Sequence, residues 1–225
     1  MLLRLIYGPL IFLITMASYA SAEPDPSTED WSYWTEQDGV QVWRREYKDS
    51  EVIAVRGIAT LPYKIEDVFS VMSDNSRSPE WVPMVEEKTT VRQLDRDSRI
   101  EYARVKMPWP LQDRYTVAMG SLKIRAKNTY WISYQSVDGE FIDPDRIRAR
   151  LELSTFYLRP EDNASTFMDI TLLSDPKGSV PKFVVNTFQK NWPVQFLAGL
   201  RRQIEKVKQE KVPKRDPEIA KSLAH

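Results

Sequence analysis

The sequence predicts an α+β fold in which one long C-terminal helix lies against a strongly curved antiparallel β-sheet. Three observations carry that prediction. Between residues 40 and 175, short runs rich in β-branched and aromatic residues follow one another across tight polar turns. Two short helical patterns interrupt them, at 64–74 and around Trp81. Residues 181–211 then carry a wide apolar stripe at helical spacing. Segregated strands and helices define an α+β arrangement, and a bent sheet wrapped around a single long helix leaves a hollow between them.

Each element has its own signal. Trp31 and Trp34 lie three apart, as on one side of a short helix. Asp38-Gly39 is a turn, and Val40 to Trp43 alternate as a strand does. "EVIAVRGIAT" (51–60) is a further strand, ended by Pro62, and "KIEDVFSVMSD" (64–74) spaces Ile65, Val68, Phe69 and Met72 as a helix. Pro79 suits the first turn of the short helix before Trp81. Strands follow at 86–95, 98–105, 113–126 and 129–136.

In "RIRARLELSTFYL" (146–158), Ile147, Ala149, Leu151, Leu153, Thr155 and Tyr157 share one face, with Arg148, Arg150 and Glu152 on the other. Met168, Ile170 and Leu172 point inward from 165–175. Gly178 supplies an unusual φ in the Asp175–Gly178 turn. The last helix opens at Pro181, and Pro193 is expected to kink or split it.

Between two strands stands "MPWPLQDR" (107–114). Proline removes a ladder donor, so this stretch is a stiff corner at the sheet's rim. Trp109 either packs beneath the helix or presents itself to a membrane interface, where tryptophan is at home.

The ends have a different character. Residues 1–22 place Arg4 before an apolar run and close on Ala20-Ser21-Ala22, the order of a secretory signal cleaved after Ala22. The alternative is an uncleaved membrane anchor. Residues 23–30 read as a linker and 211–225 as a charged tail, leaving 31–210 as one domain. Without residues 1–22 the chain has 31 basic and 32 acidic residues, a balance with no electrostatic footprint for nucleic acid. There is no Cys, and the single His is the final residue, His225. Thiolate and His-ligated metal sites, cysteine nucleophiles and Ser-His-Asp chemistry are therefore excluded, and no metal or cofactor is assigned.

Five segments together resemble the START (StAR-related lipid transfer) domains: "WxxWTEQDGVQVWRRE" from Trp31, "RSPEW" (77–81), "EYARVKMPWPLQDR" (101–114), the "IRA" at 147–149 and "DPKGSVPKFVVN" (175–186). The resemblance spans roughly 31–208. It implies the helix-grip fold, a tunnel between sheet and C-terminal helix, one bound lipid of the sterol or phospholipid class, and no catalysis. One departure stands out: the family often has Arg-Asp after the proline corner, whereas Arg114 precedes Tyr115 here.

The candidate lipid-binding residues are Tyr102, Arg104, Trp109, Arg114, Phe183, Val184, Phe188 and Trp192. Ile100, Tyr102 and Arg104 share a strand face, so Arg104 is either a buried polar anchor or reaches past its neighbours to solvent. Alternation sets Arg114, Thr116 and Ala118 opposite Tyr115, Val117 and Met119. An apolar face on the core would turn Arg114 outward, whereas the resemblance puts it near the ligand. Phe183, Val184, Phe188 and Trp192 are lid residues, at once core and ligand contacts.

The leading function is a monomeric, non-enzymatic lipid carrier, exported to a bacterial periplasm or secreted, that touches a membrane surface transiently. A polyketide cyclase or aromatase on the same scaffold is the alternative from another class. A module that packs against a membrane protein is a third.

Overall fold

The computed structural model describes residues 30–211, apart from 49, 51, 126, 127 and 140. The leader, linker and tail expected at 1–22, 23–30 and 211–225 lie outside these residues, save for Asp30 and the backbone of Lys211. The elements run β1 (Ser32–Gln37), β2 (Val40–Glu46), β3 (Ile53–Leu61), α1 (Ile65–Ser73), a 3-10 helix (Asn75–Glu80), β4 (Val85–Gln93), β5 (Ser98–Val105), β6 (Arg114–Arg125), β7 (Thr129–Ser136), β8 (Ile147–Arg148), β9 (Arg150–Pro160), β10 (Thr166–Asp175) and α2 (Lys182–Lys211). They form one sheet in the order β1-β2-β3-β10-β9-β7-β6-β5-β4, with the two-residue β8 paired in parallel to the start of β6. The curved antiparallel sheet and long C-terminal helix are the predicted α+β, helix-grip architecture.

The helix expected around Trp31 and Trp34 is instead strand β1. Asp38 (φ 54°) and Gly39 (φ 71°) both adopt left-handed backbone, the turn that joins two strands through a two-residue loop. Gln37 therefore pairs with Val40, and the segment before the turn is drawn into a hairpin. The register shifts between Tyr33 and Thr35, so Trp34 leaves simple alternation and packs on the core while Tyr33 meets Trp43 edge to face.

A second bulge corrects the predicted face of β9. Leu173 pairs with Leu153, but Ser174 pairs with Leu151, leaving Glu152 as an extra residue. One extra residue inverts side-chain parity. Ala149 and Leu151 face the helix before the bulge; Ser154, Phe156 and Leu158 do so after it. Thr155 and Tyr157 thus point away from α2, and Tyr157 packs between Trp131 and Phe167 on the outer side. On β10, Met168, Ile170 and Leu172 are inward and buried as predicted.

The main core lies between the concave face and α2, whose Trp192, Phe196, Leu197, Leu200 and Ile204 are buried. Helix α2 is not split at Pro193; it runs from Lys182 to Lys211. Its C-terminal half is tied to the 3-10 helix. Arg77 pairs with Glu80 at 2.9 Å and Glu210 at 2.7 Å, and Glu80 also pairs with Lys206 at 2.7 Å. The hydrogen bonds from Arg77, Lys206 and Gln203 hold the Glu80 carboxyl well below the usual carboxylate range. Nearby, Gly199 sits so close to the Trp81 carbonyl that a Cβ there would come within 2.1 Å of its oxygen.

A smaller cluster of Ile100, Tyr102, Tyr115 and Val117 occupies the convex face. Phe141, from the segment between β7 and β8, meets Tyr102 edge to face at 5.1 Å.

Candidate functional site: a cavity beneath the C-terminal helix

The sheet and the N-terminal half of α2 enclose a cavity of about 280 Å³. Its walls follow from strand parity. β5 contributes Glu101, Ala103 and Val105, and β6 contributes Arg114, Thr116 and Ala118. From α2 come Val184, Val185, Phe188, Gln189, Trp192 and Phe196, one inward stripe at i, i+4 spacing. Ser78 and Trp81 lie below. Small side chains on β5 and β6 leave the hollow that larger ones would fill.

Both open questions of strand facing are settled by the convex cluster. Tyr102 and Tyr115 belong to it, so the alternate residues Glu101 and Arg114 face the cavity. Tyr102 and Arg104, expected near the ligand, do not border the cavity. Tyr102 donates to Asp143 at 2.8 Å, and Arg104 pairs with Glu86 at 3.2 Å at the surface. The apolar look of Ile100 and Tyr102 reflects a second core rather than the ligand side.

Phe183 also lies off the lining. It is 72% exposed, because Val184, Phe188 and Trp192 define the inward line and Phe183 stands one residue out of phase. Trp109 is 93% exposed on the corner, while its neighbours Met107 and Pro108 line the opening. The corner turns through a Leu111 N–H to Pro108 carbonyl bond of 2.9 Å. Asp113 fastens it by accepting from the Met107 N–H at 3.0 Å and from Lys106 at 3.3 Å. Those bonds, the backbone one foremost, hold the Asp113 carboxyl below its ordinary range.

Arg114 is 2% exposed. Its guanidinium donates to three backbone carbonyls: Pro176 at 3.1 Å, Lys177 at 3.1 Å, and Gln112. Burial pushes its pKa down, with Asp113 partly opposing. Arg114 thereby locks the turn ahead of α2, where Lys177 (φ 51°) and Gly178 (φ 68°) are both left-handed. A Cβ on Gly178 would press against Ile147 at 3.1 Å.

The inner end of the cavity carries charge that the sequence reading missed. Glu101, 3% exposed, pairs with Lys88 at 2.9 Å and with Arg99, and accepts from Asn75. Burial pushes the Glu101 carboxyl up, but Lys88, Arg99 and Asn75 outweigh it and hold the pKa below its ordinary value. Lys88 donates to the Tyr134 hydroxyl at 3.3 Å and lies 4.6 Å from that ring's centre. Burial alone would lower the Lys88 pKa; Tyr134 and Glu101 raise it. Elsewhere on the cavity wall, Gln189, 1% exposed, donates to the Ser174 carbonyl at 3.2 Å, while its own side-chain oxygen has no partner among the described residues. An apolar chamber with an ion pair and a spare acceptor can seat an amphiphile and satisfy its polar group.

Comparison with known proteins agrees with this geometry. The sequence matches the START domain family over residues 16–210, and the chain belongs to that family. It is 25% identical over 201 residues to the uncharacterized protein PA1579 of Pseudomonas aeruginosa, covering 88% of this chain and 98% of that one. Among solved structures, human STARD10 superposes with a TM-score of 0.75 at 20% identity, covering 84% of this chain and 79% of that one. Human StAR-related lipid transfer protein 5 gives 0.76 at 16%, covering 81% and 90%. A STAR-related lipid transfer protein from Xanthomonas axonopodis gives 0.70 at 21%, covering 78% and 99%. At these identities the structural likeness speaks to fold.

Proposed function

We propose that this protein is a non-enzymatic carrier that holds one amphiphile in the cavity and exchanges it at a membrane surface. The observation that carries the reading is the cavity itself: an apolar chamber whose wall carries the ion pair of buried Glu101 with partly buried Lys88 and, on the helix, a Gln189 oxygen with no partner among the described residues. Two solved neighbours are named as lipid transfer proteins, in keeping with this assignment. The volume, about 280 Å³, stands at the low end of the roughly 300–1,000 Å³ typical of ligand pockets, which favours one compact body, sterol-like or single-chained, over a two-chain phospholipid. Glu101 and Gln189, both on the cavity wall, are the groups that can satisfy its polar end.

Membrane contact is assigned to the rim. Trp109 and Phe183 flank the opening, each next in sequence to a lining residue, and both are largely exposed. Lys106 and Lys177 stand nearby with side chains 58% and 48% exposed, suited to an anionic surface. The order of residues 1–22 supports export with a mature N-terminus at Glu23, and the working form is a monomer, one chain lining the whole cavity.

Native mass spectrometry of the purified chain, after incubation with a total membrane lipid extract, tests the reading. One added lipid mass per monomer is expected. A chain that takes up no lipid under these conditions is not a carrier.

A further inference from the structure

The concave face of the sheet continues past the inner end of the cavity. On β5, Glu101 lines the cavity, and the next inward residue, Arg99, lines a second pocket of about 70 Å³. On β6 the same step passes from Ala118 in the cavity to Gly120 and Leu122 in the rear pocket. The rear pocket reaches solvent past the exposed Ser73 and Arg96. Among the described residues, two border both spaces: Tyr134 and Met72.

Tyr134 is held across the passage from several sides. It pairs with Gly120 on the neighbouring strand, and its ring lies so close to that bare α-carbon that a Cβ would come within 2.7 Å of Cε1. Lys88 covers the ring and donates to its hydroxyl, and Phe156 meets it edge to face at 6.1 Å. A glycine at 120 is what allows a large aromatic ring to lie against the strand here.

We propose that Tyr134, seconded by Met72, is the partition that sets how long a ligand the cavity accepts, the rear pocket being a continuation of the same tunnel that the ring closes off. This rests on the carrier reading above. Each methylene buried in the cavity strengthens binding, whereas one that finds no room stays in water and adds nothing. Affinity along a series of ligands of growing chain length must therefore rise and then level off, at a length fixed by the distance from partition to opening.

The test is binding of a homologous series of saturated 1-alkanols to the purified chain, followed by titration and native mass spectrometry. In the wild type, affinity rises with chain length to a plateau. Tyr134→Ala moves the plateau to longer chains, and Tyr134→Phe, which keeps the ring, leaves it in place. Met72→Ala, altering the other side of the partition, shifts it in the same direction by less and serves if Tyr134→Ala does not fold. Gly120→Ala pushes the ring into the cavity and shortens the accepted chain. A plateau unmoved in folded Tyr134→Ala, or in Met72→Ala where that variant stands in, overturns the partition while leaving the carrier intact. Failure of the wild type to bind any alkanol or any extracted lipid overturns the carrier reading, and the partition with it.

Discussion

Gly57 and Pro193 meet where α2 crosses β3: a Cβ on Gly57 would lie 2.5 Å from the Pro193 Cβ and 3.2 Å from Ile170. Alanine ordinarily improves on glycine within a strand by roughly 0.5–1 kcal/mol. Here the contact overrides that gain. Gly57→Ala is expected to destabilise the protein by about 1–3 kcal/mol, the usual cost of overpacking. Urea denaturation measures it, and a neutral or stabilising result would mean that α2 rides further from the sheet.

Glu101→Gln removes the carboxylate that faces Lys88 and should cost about 3–5 kcal/mol, as breaking a buried ion pair does. Replacing both partners, Lys88→Met with Glu101→Gln, should recover much of the loss. The sign with pH follows from the lowered Glu101 pKa. Its contribution is present above the ordinary value of 4.5 and disappears as pH falls through the folded value, so the variant's acid limb should be shallower. A double-mutant cycle with additive losses would contradict the pairing.

Tyr102 titrates late. Burial first, and then its hydrogen bond to Asp143, push the phenol from 10.0 up to about 12. Between those values the folded protein retains a proton that the unfolded chain releases, so stability falls as pH rises through that window. Tyr102→Phe should flatten the fall. Parallel alkaline stability curves for the two proteins would remove this link.

Trp109→Ala and Arg114→Ala should separate the rim from the lining. Trp109 is almost wholly exposed, so its loss should leave the melting temperature unchanged while slowing lipid transfer between vesicles several-fold. Arg114→Ala unties the Pro176–Lys177 turn and should lower both stability and lipid occupancy, consistent with about 1.5–3 kcal/mol for a hydrogen bond to a charged group. Stopped-flow transfer beside a thermal melt distinguishes them. A large drop in melting temperature for Trp109→Ala would make the corner a core plug.

The architecture was legible wherever periodicity and turn chemistry agreed. Pro181 with the stripe through Trp192 and Ile204 marked α2, and Met168, Ile170 and Leu172 marked the inner face of β10. Parity failed at Tyr33/Thr35 and at Glu152, because a bulge is one unpaired residue with no composition of its own. It failed differently on β5 and β6, where both faces are buried and the apolar one packs under the β7–β8 segment. The cavity side is the face of Ala103, Thr116 and Ala118, so the available signal was smallness rather than hydrophobicity. Lys88, Glu101 and Tyr134 were missed because their meeting depends on the register of four strands, β4 to β7, and Gln189 because its placement depends on how the helix lies above the sheet.

The ties that join Arg77, Glu80 and Trp81 to the C-terminal half of α2 make the helix a cantilever, clamped at one end and loaded at the other. The other arm, from Pro193 to Lys182, is roughly 16 Å long at helical rise, so a tilt of about 10° at the proline carries the tip about 3 Å. The missing proline N–H lowers the bending resistance at the foot of that arm. Deflection of this kind widens the gap between Val184 and Pro108 while the clamp and the sheet beneath it stay loaded as before.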